Sequence, residues 1–304
     1  MGRRGPGLTT FFLFLLLTVF YPSAQGVETG NGGHDQALSL PQGGLLLLLL
    51  PEKSHAQYLA IEDHRIALSP WRDKESQGRD HALAALVGVD FARSPGSLPV
   101  DIYLQDGRKT RFILQVMPRS FQVSRLHVAR SFVTPPESLL RRLSRERKII
   151  HAALASPDTP LRFHRSFILP LAGKVTHDFG AYRYLNGHPM ARHSGEDIDV
   201  PQGTPVRAAN NGIVRLAGSF YYDGNMVILD HGGGLLTEYL HMADIQVRPG
   251  QIIHRGEVIG HVGHTGRVTG PVLHYGAVLH GAHVNPMLLT KLLARAVSLG
   301  TENR

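Results

Sequence analysis

Cysteine is absent from all 304 residues. No disulfide can staple this fold, and no lipid can be attached through a cysteine at a processed N-terminus. A hydrophobic core has to supply the stability. Also missing is any block of five or more Lys/Arg, although the formal charge is +8 and the pI is near 9.9. Charge this dispersed, without a nucleic-acid motif, excludes nucleic acid as the partner and leaves weak attraction to polyanions. A long apolar run is lacking too. Leu8 to Tyr21 falls short of the roughly 20 residues needed to span a bilayer comfortably. With Arg3-Arg4 before it and Ser23-Ala24-Gln25-Gly26 after it, the run predicts an export signal over residues 1–26. Left uncleaved, the same run is a membrane anchor. An exported chain without disulfides suits a periplasm.

What is present reads mainly as β structure. Residues 27–44 are a flexible leader dense in Gly, Asn and Gln. Six consecutive leucines, Leu45 to Leu50, are too few to cross a membrane and predict a buried strand before Pro51. Short runs of strand composition then recur at spacings of about ten residues, which predicts a small β-sandwich-like accessory domain over 45–133. Within it, Asp106-Gly107 predicts a hairpin. Thr134-Pro135-Pro136-Glu137 has the form of a capping box. It opens a connecting helix whose stripe is Leu139, Leu140, Leu143, Ile149, Ile150 and Ala153. The basic face of that helix is read as solvated. Helix and linker together occupy 134–160, and a third, Gly-dense β-rich region fills 161–304. A last helix is expected from roughly Pro286 to Val297.

Chemistry concentrates in the third region. Eleven of the eighteen histidines lie beyond Phe167, and imidazole is the commonest metal ligand. Arg192 to Val200, RHSGEDIDV, offers His193 and Asp197 with Gly195 between them, and LHYG at 273–276 offers His274. Two imidazoles and a carboxylate are the donor set of a catalytic zinc site, which keeps its fourth position open. Gly195 permits the close approach that two ligands four residues apart require. Strand alternation sets Glu196 on the opposite face, predicting a surface role, and Asp199 on the face of Asp197.

These residues fall into a known pattern. His193-Ser194-Gly195-Glu196-Asp197, Pro201-Gln202-Gly203-Thr204-Pro205-Val206, Tyr239-Leu240-His241, Gly263 to Pro271 and Val284-Asn285-Pro286 follow Phe179-Gly180 in order. On these motifs, residues about 167–290 resemble the lysostaphin-type (LytM-like) zinc metallopeptidases, which cut peptide cross-links in bacterial peptidoglycan. The resemblance implies a peptidase domain of the duplicated hybrid motif type over 161–304, holding one Zn²⁺ on His193, Asp197 and His274. It implies a catalytic role for His241 at the water or the oxyanion, and a substrate groove lined by Tyr239 and Thr269. The N-terminal half is similar to the small β-domain that precedes this domain in some Gram-negative members.

One departure bears on activity. The family's H-x-H reads Val272-Leu273-His274, so the second imidazole is kept and the first is a valine. Losing one positioned acid/base costs about 10²–10⁴ in rate. His264, His280 and His283 lie near in sequence as substitutes. Either Tyr182 or Arg183 takes the place of an arginine that often follows the Phe-Gly pair. The expected function is an exported, periplasmic zinc metalloendopeptidase that remodels peptidoglycan. The alternative is a catalytically impaired relative that binds the wall or regulates other wall hydrolases. Two further motifs carry nothing. His231-Gly232-Gly233-Gly234 lacks a G-x-S-x-G partner and reads as a turn, and the glycines of 263–270 lack the P-loop lysine.

Overall fold

The computed structural model describes residues 15–18, 38–72, 81–128, 130, 133–155, 159–177 and 179–301. The molecule is mainly β. Most of the expected export segment and leader lies outside the described residues; of the apolar run, Leu15–Thr18 forms a strand beside Val297–Thr301. Among the described residues no helix is long and apolar enough to cross a membrane.

The leucine run explains how the layers join. Leu45–Pro51 pairs antiparallel with His81–Gly88, from Leu45 opposite Gly88 to Pro51 opposite Ala82. Because side chains alternate across a strand, Leu45 and Leu47 enter one core while Leu46, Leu48 and Leu50 enter another. The first core also holds Phe163, Leu229, Leu235, Tyr275 and Leu279 of the histidine-rich region. The second holds Leu59, Val100, Ile102 and Leu114 of an outer five-stranded sheet. A strand buried on both faces reads as a continuous apolar run, hence six leucines without a polar residue between them. The Asp106-Gly107 hairpin forms in the outer sheet, joining Gly96–Leu104 to Lys109–Met117 with Gly107 at φ +82°.

The chain's end departs from expectation. Instead of a helix over 286–297, two 3₁₀ turns, Pro286–Lys291 and Leu293–Arg295, lead into the strand Val297–Thr301. That strand adds parallel to the leucine strand, with Val297 opposite Leu48, and Val297 and Leu299 join the outer core. Its alternating apolar residues find a sheet edge, a tertiary reward that local pattern does not reveal.

The connecting helix runs Glu137–Leu154. Its N-cap is Pro136 without a side-chain cap, so Thr134 does not close the expected box. Ile150, Ala153 and Leu154 pack on the large sheet, whereas Leu140 and Ile149 face solvent. Glu146 is buried instead, its Oε2 accepting from the Tyr221 backbone N–H at 2.9 Å and its Oε1 pairing with Arg142 at 2.7 Å. The apolar stripe is therefore narrower than the sequence suggests, and a carboxylate does part of the docking.

The large sheet sets Gly195–Asp199 beside Leu273–Leu279, then Leu235–Ile245, Gly224–Asp230 and Gly212–Phe220. One face is the first core. The other carries the connecting helix at one end and an open groove at the other.

Candidate metal centre and groove

Register brings the donors together. Asp197 lies directly opposite His274, and Gly195 opposite Gly276, on adjacent antiparallel strands. His193 reaches in from the turn just before its strand. His193 Nε2 stands 2.9 Å from His274 Nδ1 and 3.1 Å from Asp197 Oδ1, and His274 Nδ1 is 2.9 Å from the same oxygen. All three side chains are buried at the floor of a cavity of about 480 Å³. Among the described residues this is the one group of three or more His, Cys, Asp or Glu able to hold a metal.

The donor set fits zinc. Ligand atoms about 2.0–2.1 Å from a tetrahedral centre lie about 3.3–3.4 Å apart, so the observed triangle needs to open by only a few tenths of an ångström. The site also favours the deprotonated forms that bind a metal. Burial draws His193 down to about 4. Burial alone would raise Asp197, but hydrogen bonds from His193 and His274 and their charge hold it well below the usual carboxylate range. Gly195 is required by packing: a Cβ there would sit 2.5 Å from the Tyr275 carbonyl oxygen and 2.6 Å from His274 Nε2.

Asp197 has a second partner that spacing did not predict. Arg183 Nη2 donates to Oδ2, the oxygen turned away from the imidazoles, at 2.5 Å. Arg183 rather than Tyr182 thus occupies the place of the arginine after Phe179-Gly180. Tyr182 is instead half-exposed and stacks on Arg192 at 4.7 Å.

His241 reaches the groove through a defect in its strand. Val227 pairs with Tyr239 and Asn225 with Met242, so one residue faces two, and His241 adopts φ +66°. Such a bulge re-aims side chains. Leu240 and His241 both line the groove, while Tyr239 is fully buried in the first core. The expectation that Tyr239 lines the groove is therefore corrected. Its hydroxyl accepts from the Ala209 N–H at 2.9 Å and belongs to a chain running through Thr237 to His231. Thr269 does line the groove.

His241 Nδ1 donates to the Thr265 carbonyl at 2.9 Å, which leaves Nε2 with the ring's lone pair. The His241 and His274 rings stand 6.2 Å apart at 83°. Burial lowers His241 to about 4, with repulsion from His274 adding to the effect.

Val272 lines the groove two residues from His274. None of His264, His280 and His283 does so. His264 contacts Gln202, His280 faces a different cavity, and His283 packs on Phe91. The groove instead adds groups that motif reading did not single out, Asp223 and Arg267. Arg267 is fixed by its backbone N–H to the Tyr222 carbonyl and by stacking over the Tyr222 ring at 4.5 Å. Glu196 also departs from expectation. Alternation does turn it from the groove, but it is buried, accepting the Phe179 N–H at 3.0 Å. Asp199 accepts from the Thr176 hydroxyl at 3.1 Å at the groove margin.

Comparison with known proteins agrees with this geometry. Residues 191–286 match the profile of Peptidase family M23. Peptidoglycan DD-endopeptidase ShyA of Vibrio cholerae is 41% identical over 114 residues, covering 36% of this chain and 26% of that protein. DD-carboxypeptidase/endopeptidase Mpg of Neisseria meningitidis is 40% identical over 114 residues, covering 38% and 26%. The chain thus spans about a quarter of the length of these relatives. A crystal structure of a Pseudomonas aeruginosa protein assigned to peptidase M23 superposes with a TM-score of 0.63 at 25% identity, covering 82% of this chain and 94% of that one. With its motifs, fold and donor cluster coinciding over one stretch, the region 191–286 of this chain is a peptidase family M23 domain.

Proposed function

We propose that this chain is an exported zinc-dependent endopeptidase that hydrolyses the peptide cross-links of peptidoglycan. The reading rests on one observation above the rest. Three donor atoms from His193, Asp197 and His274 lie 2.9–3.1 Å from one another at the floor of an open groove. A structural zinc site is closed by protein on all sides, whereas a groove leaves one side for water and substrate. A relative named peptidoglycan DD-endopeptidase and one named DD-carboxypeptidase/endopeptidase support the substrate class.

Each side chain then has a task. His193, Asp197 and His274 would hold the ion, and Arg183 occupies Asp197 Oδ2, leaving Oδ1 to the donor triangle. Zn²⁺ supplies Lewis acidity that polarises a peptide carbonyl and acidifies a water. His241, neutral at pH 7 and with Nε2 unprotonated, accepts a proton or donates it back as the amine departs. Arg267, stacked on Tyr222, places a guanidinium along the groove, which suits a carboxylate of a stem peptide.

The test uses the purified full chain loaded with Zn²⁺ and incubated with isolated sacculi, with products identified by mass spectrometry. Peptide release that chelation and His193→Ala both abolish is the expected result. Stoichiometric zinc in a folded chain that releases nothing would sink the hydrolase reading and leave the wall-binding regulator, the outcome Val272 favours.

A further inference from the structure

The row of residues behind the metal ligands contains one acid with no assigned task. Glu238, Gly276 and Gly195 stand side by side on three adjacent strands. Glu238 is buried and shares its sheet face with Leu236, Leu240 and Val278, the apolar layer under the connecting helix. Its Oε2 has no hydrogen-bond partner among the described residues. An isolated carboxyl in such a layer is costly to fold, so its position calls for a function.

The two glycines show where that carboxyl points. A Cβ on Gly276 would lie 2.9 Å from Glu238 Oε2, and a Cβ on Gly195 would lie 2.6 Å from His274 Nε2. The Cβ positions of two directly opposed residues are about 4.5–5.5 Å apart. Glu238 Oε2 and His274 Nε2 therefore overhang two directly opposed glycines on one sheet face, with no glycine side chain to separate them. Both hydrogen bonds of His274 fall on Nδ1, the nitrogen facing His193 and Asp197. An imidazole that ligates through Nδ1 carries its proton on Nε2, and a carboxylate there fixes the ring and strengthens it as a donor.

We propose that Glu238 is the positioning residue for His274, its carboxylate receiving the Nε2 proton of that ligand when the metal is bound. The proposal rests on the zinc reading above, and its test separates the two.

Zn²⁺ affinity of the full chain is measured by competition with a chromophoric chelator, alongside thermal unfolding of the metal-free forms. Glu238→Gln and Glu238→Leu are compared with the unsubstituted chain. Both variants are expected to bind Zn²⁺ about 10–100-fold more weakly. Metal-free Glu238→Leu should unfold at the same or a higher temperature, because an unpaired buried carboxyl has gone. In nitrogen–proton NMR of the zinc form, the His274 Nε2 proton should be observed and should lose its downfield shift in both variants. Affinities within twofold of the parent would overturn the proposal, as would affinity losses matched by equal losses of metal-free stability. Should Glu238→Leu not fold, the near-isosteric Glu238→Gln gives the same affinity and NMR readouts. A parent chain that binds no zinc would instead refute the metal-centre reading itself.

Discussion

Arg183 holds Asp197 by the oxygen that the two imidazoles leave free, Nη2 to Oδ2 at 2.5 Å. One carboxylate thus serves two masters, with Oδ1 in the donor triangle and Oδ2 on a guanidinium that is itself largely buried. The contact stops the carboxylate rotating and would leave Oδ1 as the oxygen available to a metal. Arg183→Ala is expected to weaken Zn²⁺ binding about tenfold to a hundredfold, the range seen when a ligand's outer partner is lost. Arg183→Lys should recover only part, since a point charge does not reproduce the planar fork. Chelator competition on the purified variants measures both, and unchanged affinity in Arg183→Ala would remove the arginine from the site.

Gly195 is the tightest steric condition of the centre. An alanine methyl there would meet the Tyr275 carbonyl oxygen at 2.5 Å and His274 Nε2 at 2.6 Å. The carbonyl is strand backbone and cannot yield without opening the pairing between the two ligand-bearing strands. Gly195→Ala should cost about 1–3 kcal/mol of stability from overpacking. It should also lower zinc occupancy at equal metal concentration, read by atomic absorption after desalting. Normal occupancy and stability would mean the strands part more readily than their packing implies.

Val272 leaves the groove one imidazole short of the family pattern, and His241 is the remaining imidazole on the groove beyond the donor set. If the rate is limited by proton transfer, Val272→His should raise kcat about a hundredfold or more, the lower end of the range for a positioned acid/base. KM should change little, because binding surface is barely altered. A kcat that does not move would show that another groove group, with Asp223 nearest in character, already carries the proton.

How far this was legible in the sequence differs by level. The donor set was legible because H-x-G-x-D places two ligands on one short segment, and His274 follows from the motif order. Tyr239 was misplaced because alternation and motif proximity say nothing of a bulge, and only the register slip at Leu240–His241 separates it from His241. Arg183 was legible only as one of two candidates, because its contact with Asp197 joins strands that do not pair with each other. Glu238 was beyond reach because its place beside Gly276 and Gly195 depends on strand pairings that no local pattern encodes. The leucine run was legible as a buried strand. That its two faces serve two cores, and that Val297–Thr301 joins its sheet, depends on contacts between residues far apart in the chain, in the case of Val297 and Leu48 more than 200 apart.

That shared strand makes a prediction about cooperativity. Leu47 is fully buried in the core shared with Phe163, Leu229 and Leu279, and Trp71, the single tryptophan, lies in the same core. Leu47→Ala should destabilise by about 2–5 kcal/mol. Unfolding followed by Trp71 fluorescence should coincide with loss of β signal in circular dichroism, before and after substitution. Two separated transitions would show the layers to be independent.

Acid sensitivity follows from a histidine away from the donor cluster. His231 is wholly buried, with Nδ1 against the Asn211 carbonyl at 2.6 Å and Nε2 against Thr237 Oγ1 at 2.8 Å. Burial lowers it from 6.5 to about 4, against the opposing pull of the Asn211 carbonyl and Asp230. The fold therefore prefers the neutral ring. Its contribution is complete above the unfolded value near 6.5 and is lost as pH falls through the folded value near 4, by about 3 kcal/mol in all. His193 and His241 shift the same way, so the wild-type slope alone cannot assign the effect. Denaturant unfolding between pH 7 and pH 4, with chelator present throughout, is compared for the wild type and His231→Gln. The variant begins less stable, having lost a fitted pair of hydrogen bonds, yet its stability should fall less steeply over this interval. Parallel curves would mean that His231 keeps an ordinary pKa despite its burial.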